Sequence, residues 1–153
     1  MTAAHFTPRN PDFETRVRDS FARQAFMTML GAELTTVAPG HVTITLAHRP
    51  DLCQQHGFFH GGVVGTLADN AGGYASFTLF DAADSVLTVE YKLNLMAPAD
   101  GEMLIARGQV VRPGRTLTVT RAEVAVVKDG KEKPCAAMQQ TMMRIVGRAD
   151  VIG

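Results

Sequence analysis

From Gly61 to Phe80 the chain runs GGVVGTLADNAGGYASFTLF, and its only ionisable side chains are Asp69 and the phenol of Tyr74. Val64, Leu67, Ala68, Ala71, Tyr74, Ala75 and Thr78 recur at i, i+3, i+4, i+7 spacing, the stripe of a helix meant for burial. Asp69 lies off that stripe. Its neighbours at three, four and seven residues are Gly62, Gly65, Thr66, Gly72, Gly73 and Ser76, a strip with almost no side-chain bulk. Each helical glycine costs roughly 1 kcal/mol relative to alanine, so the missing bulk implies a close approach by a strand, a second helix or a ligand. Whatever the rest of the chain does, it must wrap this helix.

His60-Gly61-Gly62 leaves backbone N–H groups at the helix start, where negative charge or a polarised carbonyl oxygen is favoured. An oxyanion-type pocket and a carboxylate two turns further on are thus expected side by side, two parts of an acyl-transfer site. Against this stands the ordinary reading of Asp69 as a solvated helix residue; its lack of charged company over several residues disfavours that.

The 153 residues, 46% hydrophobic, suit one domain with a real core, spanning 1–153 with residues 1–10 as a flexible extension. Fifteen basic and fifteen acidic residues cancel, so no overall field points to nucleic acid or an anionic membrane. Two cysteines, Cys53 and Cys135, without metal-ligand spacing, give neither a disulfide scaffold nor a metal site, and fit a reduced cytoplasm. The N-terminus lacks the apolar segment of a signal peptide, and an Asp, an Asn and five glycines break up the one apolar run of membrane-spanning length. The expectation is a soluble protein.

Asn10-Pro11 predicts a helix start, with Phe13, Val17, Phe21 and Ala25 at four-residue spacing to Gly31 and a break near Gln24. Thr- and Val-rich text on both sides of Pro39-Gly40 predicts a hairpin over 33–47. A loop over 49–59 holds Gln54, Gln55 and His56, followed by His60. Leu87, Val89, Tyr91, Leu93 and Leu95 then alternate with Thr88, Glu90, Lys92 and Asn94, predicting a strand with one core face and one polar face. Strands over 103–111, 117–127 and 135–145 follow, joined through Pro113-Gly114 and Asp129-Gly130 as an antiparallel meander. With no βαβ alternation, GxGxxG or GxxxxGK[ST], the class is α+β: an antiparallel sheet around the central helix.

The order of elements, with HGG at 60–62, LADNAGG at 67–73 and NLMAPA at 94–99, resembles the hotdog-fold acyl-CoA thioesterases of the phenylacetic-acid-degradation (PaaI-like) family. The resemblance covers residues 25–147. It implies a curved antiparallel sheet wrapped around the long helix, dimers joined edge to edge and often tetramers. It also implies hydrolysis of acyl-coenzyme A thioesters at sites on the dimer interface, with coenzyme A as part of the substrate and no separate cofactor.

Residue by residue, the resemblance assigns the carbonyl-polarising N–H to Gly61 and the general base or nucleophile to Asp69. It assigns a positioning amide to Gln54, where many relatives carry asparagine and Gln55 competes. His60 becomes the loop-orienting histidine, and Thr88 the strand hydroxyl, supplied from the partner subunit, that aids the water. Arg112, Arg115 and Thr116 are candidates for the phosphates or nucleotide end of coenzyme A, two guanidinium groups around one turn suiting bidentate binding. Phe58, Phe59 and Tyr74, with Leu87 or Met96, are candidates for the acyl pocket, which admits an aryl or medium aliphatic group. A thiolate leaves without a strong acid, so one carboxylate and an oxyanion pocket suffice. The alternatives are a hotdog enoyl-CoA hydratase or dehydratase, and a non-catalytic acyl-CoA-binding module.

Overall fold

The computed structural model describes residues 6–148, 150, 151 and 153. Helix α1 (Phe13–Ala22) and the short α2 (Ala25–Leu30) lead into strands β1 (Ala32–Ala38) and β2 (His41–Ala47), and a 3-10 turn (Pro50–Leu52) precedes helix α3 (Gly61–Phe77). Strands β3 (Ser85–Leu95), β4 (Met103–Arg112), β5 (Leu117–Lys128) and β6 (Lys131–Ile145) complete the chain. All six strands form one antiparallel sheet in the order β1-β2-β4-β5-β6-β3. Helix α3 touches β2, β3, β4, β5 and β6, which a straight helix does only if the sheet curves around it: the expected hotdog arrangement.

The turns obey their local chemistry. Gly40 takes φ +73° after Pro39, as a type II turn requires, and Asp129 and Gly130 both take positive φ, 52° and 71°, matching the twist of the β5–β6 hairpin. The N-terminal helix breaks at Gln24, whose backbone is extended. Its start differs from the expected one. Asp12 is the residue flanking α1, and Asn10 stands outside the helix, buried, with its Oδ1 accepting from the Asp12 N–H at 3.0 Å. Of the segment expected to be a flexible extension, residues 1–5 lie outside the described residues. Phe6 packs its ring over Gly40, and Arg9 pairs with Asp81.

The stripe on α3 is buried from Val64 to Thr78, with Leu67, Ala68, Ala71 and Ala75 fully so. Burial of each large apolar side chain contributes about 1.5–3 kcal/mol. On the other faces the missing bulk is used for contact. A Cβ on Gly108 of β4 would collide with the Ala71 carbonyl, and one on Gly72 would collide with the side-chain oxygen of Gln140. Helix and sheet therefore approach backbone to backbone.

Strand β3 departs from the expected two-faced pattern. It is an edge strand paired only with β6, and Leu87, Val89, Tyr91 and Leu95 are 52%, 56%, 54% and 56% exposed. A bulge between Thr88 and Glu90 also breaks the alternation: Thr88 sits opposite Met142 and Tyr91 opposite Gln140, both buried on the helix side. Thr88, read in the sequence as part of the polar face, is thereby turned toward α3.

The close approach at Gly108 generates a stability prediction. Gly108→Ala forces backbone apart from backbone, so its urea midpoint should fall by an amount equivalent to about 1–3 kcal/mol. A midpoint equal to that of the parent protein would show that the sheet and helix have slack there.

Candidate active site

The half-buried Asp69 carboxylate is held by neutral donors. Its Oδ1 accepts from Thr88 Oγ1 at 2.8 Å and from Gln140 Nε2 at 2.9 Å, and the same amide also donates to the Asp69 carbonyl at 3.1 Å. Thr88 comes from the bulged edge strand and Gln140 from β6. Among the described residues no cation pairs with Asp69, and Oδ2 has no protein partner. This carboxylate opens on a cleft of about 450 Å³ bounded by Gly73, Tyr74, Leu87, Thr88 and Met142. The Tyr74 hydroxyl accepts from Gln24 Nε2 at 2.7 Å and lies 3.2 Å from Ser20 Oγ, and burial keeps the phenol protonated above its ordinary range.

The second cluster surrounds the start of α3. His60 flanks the helix with an extended backbone, and its Nδ1 accepts from the Gly62 N–H at 2.9 Å. With Nδ1 occupied in this way, His60 is a helix cap. The Gly61 N–H has no acceptor among the described residues. Gln54 shares its cleft of about 470 Å³, which is otherwise bounded by apolar groups including Phe58, Phe59, Leu95 and Met96. The side-chain oxygen of Gln54 accepts from the His56 N–H, which leaves its Nε2 without an acceptor among the described residues. Gln55 is exposed and faces His56 instead. Of the two candidate amides, Gln54 is the one beside Gly61.

These two clusters are not adjacent within one chain. Eight residues of helix at 1.5 Å each put Gly61 and Asp69 about 12 Å apart along the axis, so one chain cannot present both to one carbonyl. The expected side-by-side pairing is corrected accordingly. The acyl-pocket candidates divide the same way, Phe58 and Phe59 with Gly61, Tyr74 with Asp69. Thr88, expected to come from a partner, contacts Asp69 of its own chain.

Arg112, Arg115 and Thr116 are all exposed, but they do not act together. Arg115 borders a polar groove of about 400 Å³ with Arg9, Arg144 and Thr118, whereas Arg112 and Thr116 stand outside it. Arg144 is engaged by Asp81 and Asp84, and Arg9 by Asp81; Arg115 makes no ion pair among the described residues. Among the described residues the buried Thr118 Oγ1 beside this groove has no hydrogen-bond partner.

Gln140 escaped the sequence reading altogether. It lies 71 residues from Asp69, in a strand whose neighbouring Gln139 and Thr141 face outward. The one available signal was a polar residue in line with the apolar core-facing positions Ala136, Met138 and Met142. No group of His, Cys, Asp and Glu among the described residues could hold a metal ion, and no helix there is long and apolar enough to cross a membrane.

Comparison with known proteins agrees with this architecture. Residues 56–133, half of the chain, match the model of the thioesterase superfamily. A thioesterase family protein from Silicibacter pomeroyi superposes with a TM-score of 0.87 at 47% identity, covering 88% of this chain and 99% of that one. The E. coli PaaI protein from the phenylacetic acid degradation operon superposes with a TM-score of 0.78 over 89% of this chain and 95% of its own, and at 21% identity that likeness is one of fold. A Deinococcus radiodurans protein named for esterase activity is 35% identical over 73% of this chain and 71% of its own length. Human acyl-coenzyme A thioesterase 13 is 29% identical over 64% of this chain and 70% of its own. The chain spans 66% of the length of one archaeal relative, from Saccharolobus solfataricus, also named for esterase activity.

The cap makes its own prediction. His60→Ala should cost about 1 kcal/mol of stability in denaturant unfolding, and His60→Asn, which also offers a side-chain acceptor, should recover most of it. Equal stability of the alanine variant and the parent would mean that the Nδ1 contact carries no weight.

Proposed function

The chain belongs to the thioesterase superfamily and is a thioester hydrolase, and we propose that it hydrolyses an aryl- or medium-chain acyl-coenzyme A at a site assembled from two copies of the chain. The observation that carries the reading is the separation just derived: donors at Gly61 and Gln54, a carboxylate about 12 Å further along the same helix. A two-fold axis passing near residue 65 of α3 would set Gly61 of one copy beside Asp69 of the other. The unpaired edge of β3 and its exposed Leu87, Val89, Tyr91 and Leu95 support such a pairing. The assembly is a homodimer or a dimer of such dimers. Two unpaired cysteines fit a cytoplasmic setting.

In this reading the Gly61 N–H and Gln54 Nε2 grip the thioester oxygen, in a cleft whose Phe58 and Phe59 dry the acyl group. Asp69 of the other copy accepts a proton from water as the water oxygen bonds to the carbonyl carbon, and Thr88 steadies the carboxylate. The negative tetrahedral intermediate is held by the two N–H donors. It collapses by breaking the C–S bond, releasing the free acid and coenzyme A thiolate, which needs no strong acid to leave. Arg115, exposed on this polar groove and without an ion pair among the described residues, is suited to a coenzyme A phosphate. Arg112 and Thr116 are peripheral to that groove.

Thiol release from a panel of aryl- and alkyl-CoA esters tests the chemistry. Asp69→Asn should lower turnover by about 10²–10⁴ with the fold intact, the span a general base usually supplies. Turnover retained by that variant would overturn the assignment.

The two-chain site has a sharper test. Gly61 is the first helical residue, where proline is accepted but carries no N–H, and Leu95 Cδ1, 2.8 Å from where a Cβ would stand, is a flexible side-chain end. Gly61→Pro should be folded and inactive, as should Asp69→Asn. Dissociated and reassociated together at equal amounts, the two should regain about a quarter of the parent's activity, since half of the dimers are mixed and each has one intact site. No recovery in mixed dimers confirmed by mass would place both groups in one chain's site.

A further inference from the structure

Resting on the thioesterase reading, we propose that Gln140 is a positioning residue that fixes which oxygen of Asp69 reacts, and that Thr120 anchors Gln140 in place. The amide of Gln140 is 1% exposed and reaches Asp69 twice, at the carbonyl and at Oδ1. With Thr88 donating to the same oxygen, Oδ1 has both lone-pair directions in use. Oδ2, without a donor among the described residues, is left as the oxygen that takes the proton.

An amide can be turned end for end, and the reversed Gln140 would aim an oxygen at the carboxylate. The Asp69 carbonyl and carboxylate exclude this, since both accept hydrogen bonds and donate none. With the nitrogen so committed, the buried Thr120 Oγ1 donates to Gln140 Oε1 at 3.2 Å and anchors the other end of the amide. Gly72 completes the arrangement, because a side chain there would collide with both Gln140 and Thr120. Thr120 donates to Gln140 and Gln140 to Asp69, a chain of hydrogen bonds running from the sheet into the helix. Each member is fixed by the one behind it.

The test measures kcat and KM per folded site for Gln140→Met, which keeps length and removes the donor, and for the pair Thr120→Val and Thr120→Ser. Gln140→Met should lower kcat about 10- to 100-fold, the cost of a carboxylate displaced by about an ångström, with KM within twofold. Thr120→Val should lower kcat in the same direction, and Thr120→Ser, which keeps the hydroxyl, should restore it. If Gln140→Met does not fold, the valine and serine pair decides, since the two differ in the hydroxyl that anchors the amide. Parent-level kcat in Gln140→Met, or equal kcat in the two Thr120 variants, would overturn the inference while an inactive Asp69→Asn left the thioesterase reading standing. An active Asp69→Asn would remove the reading on which it rests.

Discussion

The backbone-to-backbone approach of α3 and the sheet is the constraint from which the other features descend. Gly108 lies under the Ala71 carbonyl, and Gly72 lies against Gln140, at spacings that no Cβ permits. Helical glycine is costly, and Gly61, Gly62, Gly65, Gly72 and Gly73 together would weaken an isolated helix by several kcal/mol, at about 1 kcal/mol each. Packing on five strands offsets that cost. The same closeness sets the chemistry, because an amide rooted in β6 reaches the Asp69 side chain and main chain only if the helix lies this near. Stability and site geometry are one requirement here.

A second constraint is the irregularity of β3. A regular strand would put Thr88 and Tyr91 on opposite faces, three residues apart. The bulge puts both opposite buried residues of β6, which is how a hydroxyl arrives at Asp69 from a strand otherwise exposed along most of its length. A β-bulge on an edge strand commonly re-aims a side chain or ends pairing; here it does the first while leaving an apolar edge open. At the far end of the helix, Arg144 with Asp81 and Asp84, and Arg16 bonded to the carbonyls of both, hold the turn that leads into this strand.

Much of this was legible before any coordinates. The stripe from Val64 to Thr78, the Pro39-Gly40 and Asp129-Gly130 turns and the break at Gln24 each follow from a local rule, and each local rule prevailed. What failed were statements about partners. Alternation in 87–95 says that two faces differ, not that either is covered, so an edge strand reads like a core strand. Gln140 was invisible because its role depends on a contact across 71 residues and on a glycine opposite it. The separation of Gly61 from Asp69 was available from the helical rise alone. Placing them side by side treated sequence neighbourhood as spatial neighbourhood, an error that eight residues of helix make large.

The histidine ahead of the helix shows how the remaining chemistry is apportioned. His60 has the residue type of a general base, yet its Nδ1 is committed to the Gly62 amide, and Gly61 is left as the helix-opening amide without an acceptor among the described residues. The cap satisfies the donor that would compete for a ligand oxygen and commits one ring nitrogen to the backbone. On the proposed reading, proton transfer then falls to a carboxylate. A carboxylate suffices because the departing group is a thiol, whose pKa of about 8.5 is far below that of an alcohol, so no acid need be built beside it. A site for oxygen esters on this frame would need an added proton donor close to the Gly61 cleft. That cleft is bounded instead mainly by Phe58, Phe59, Val64, Leu95 and Met96, which supply dryness and no proton, and its one thiol, Cys135, is buried and donates to the Val124 carbonyl.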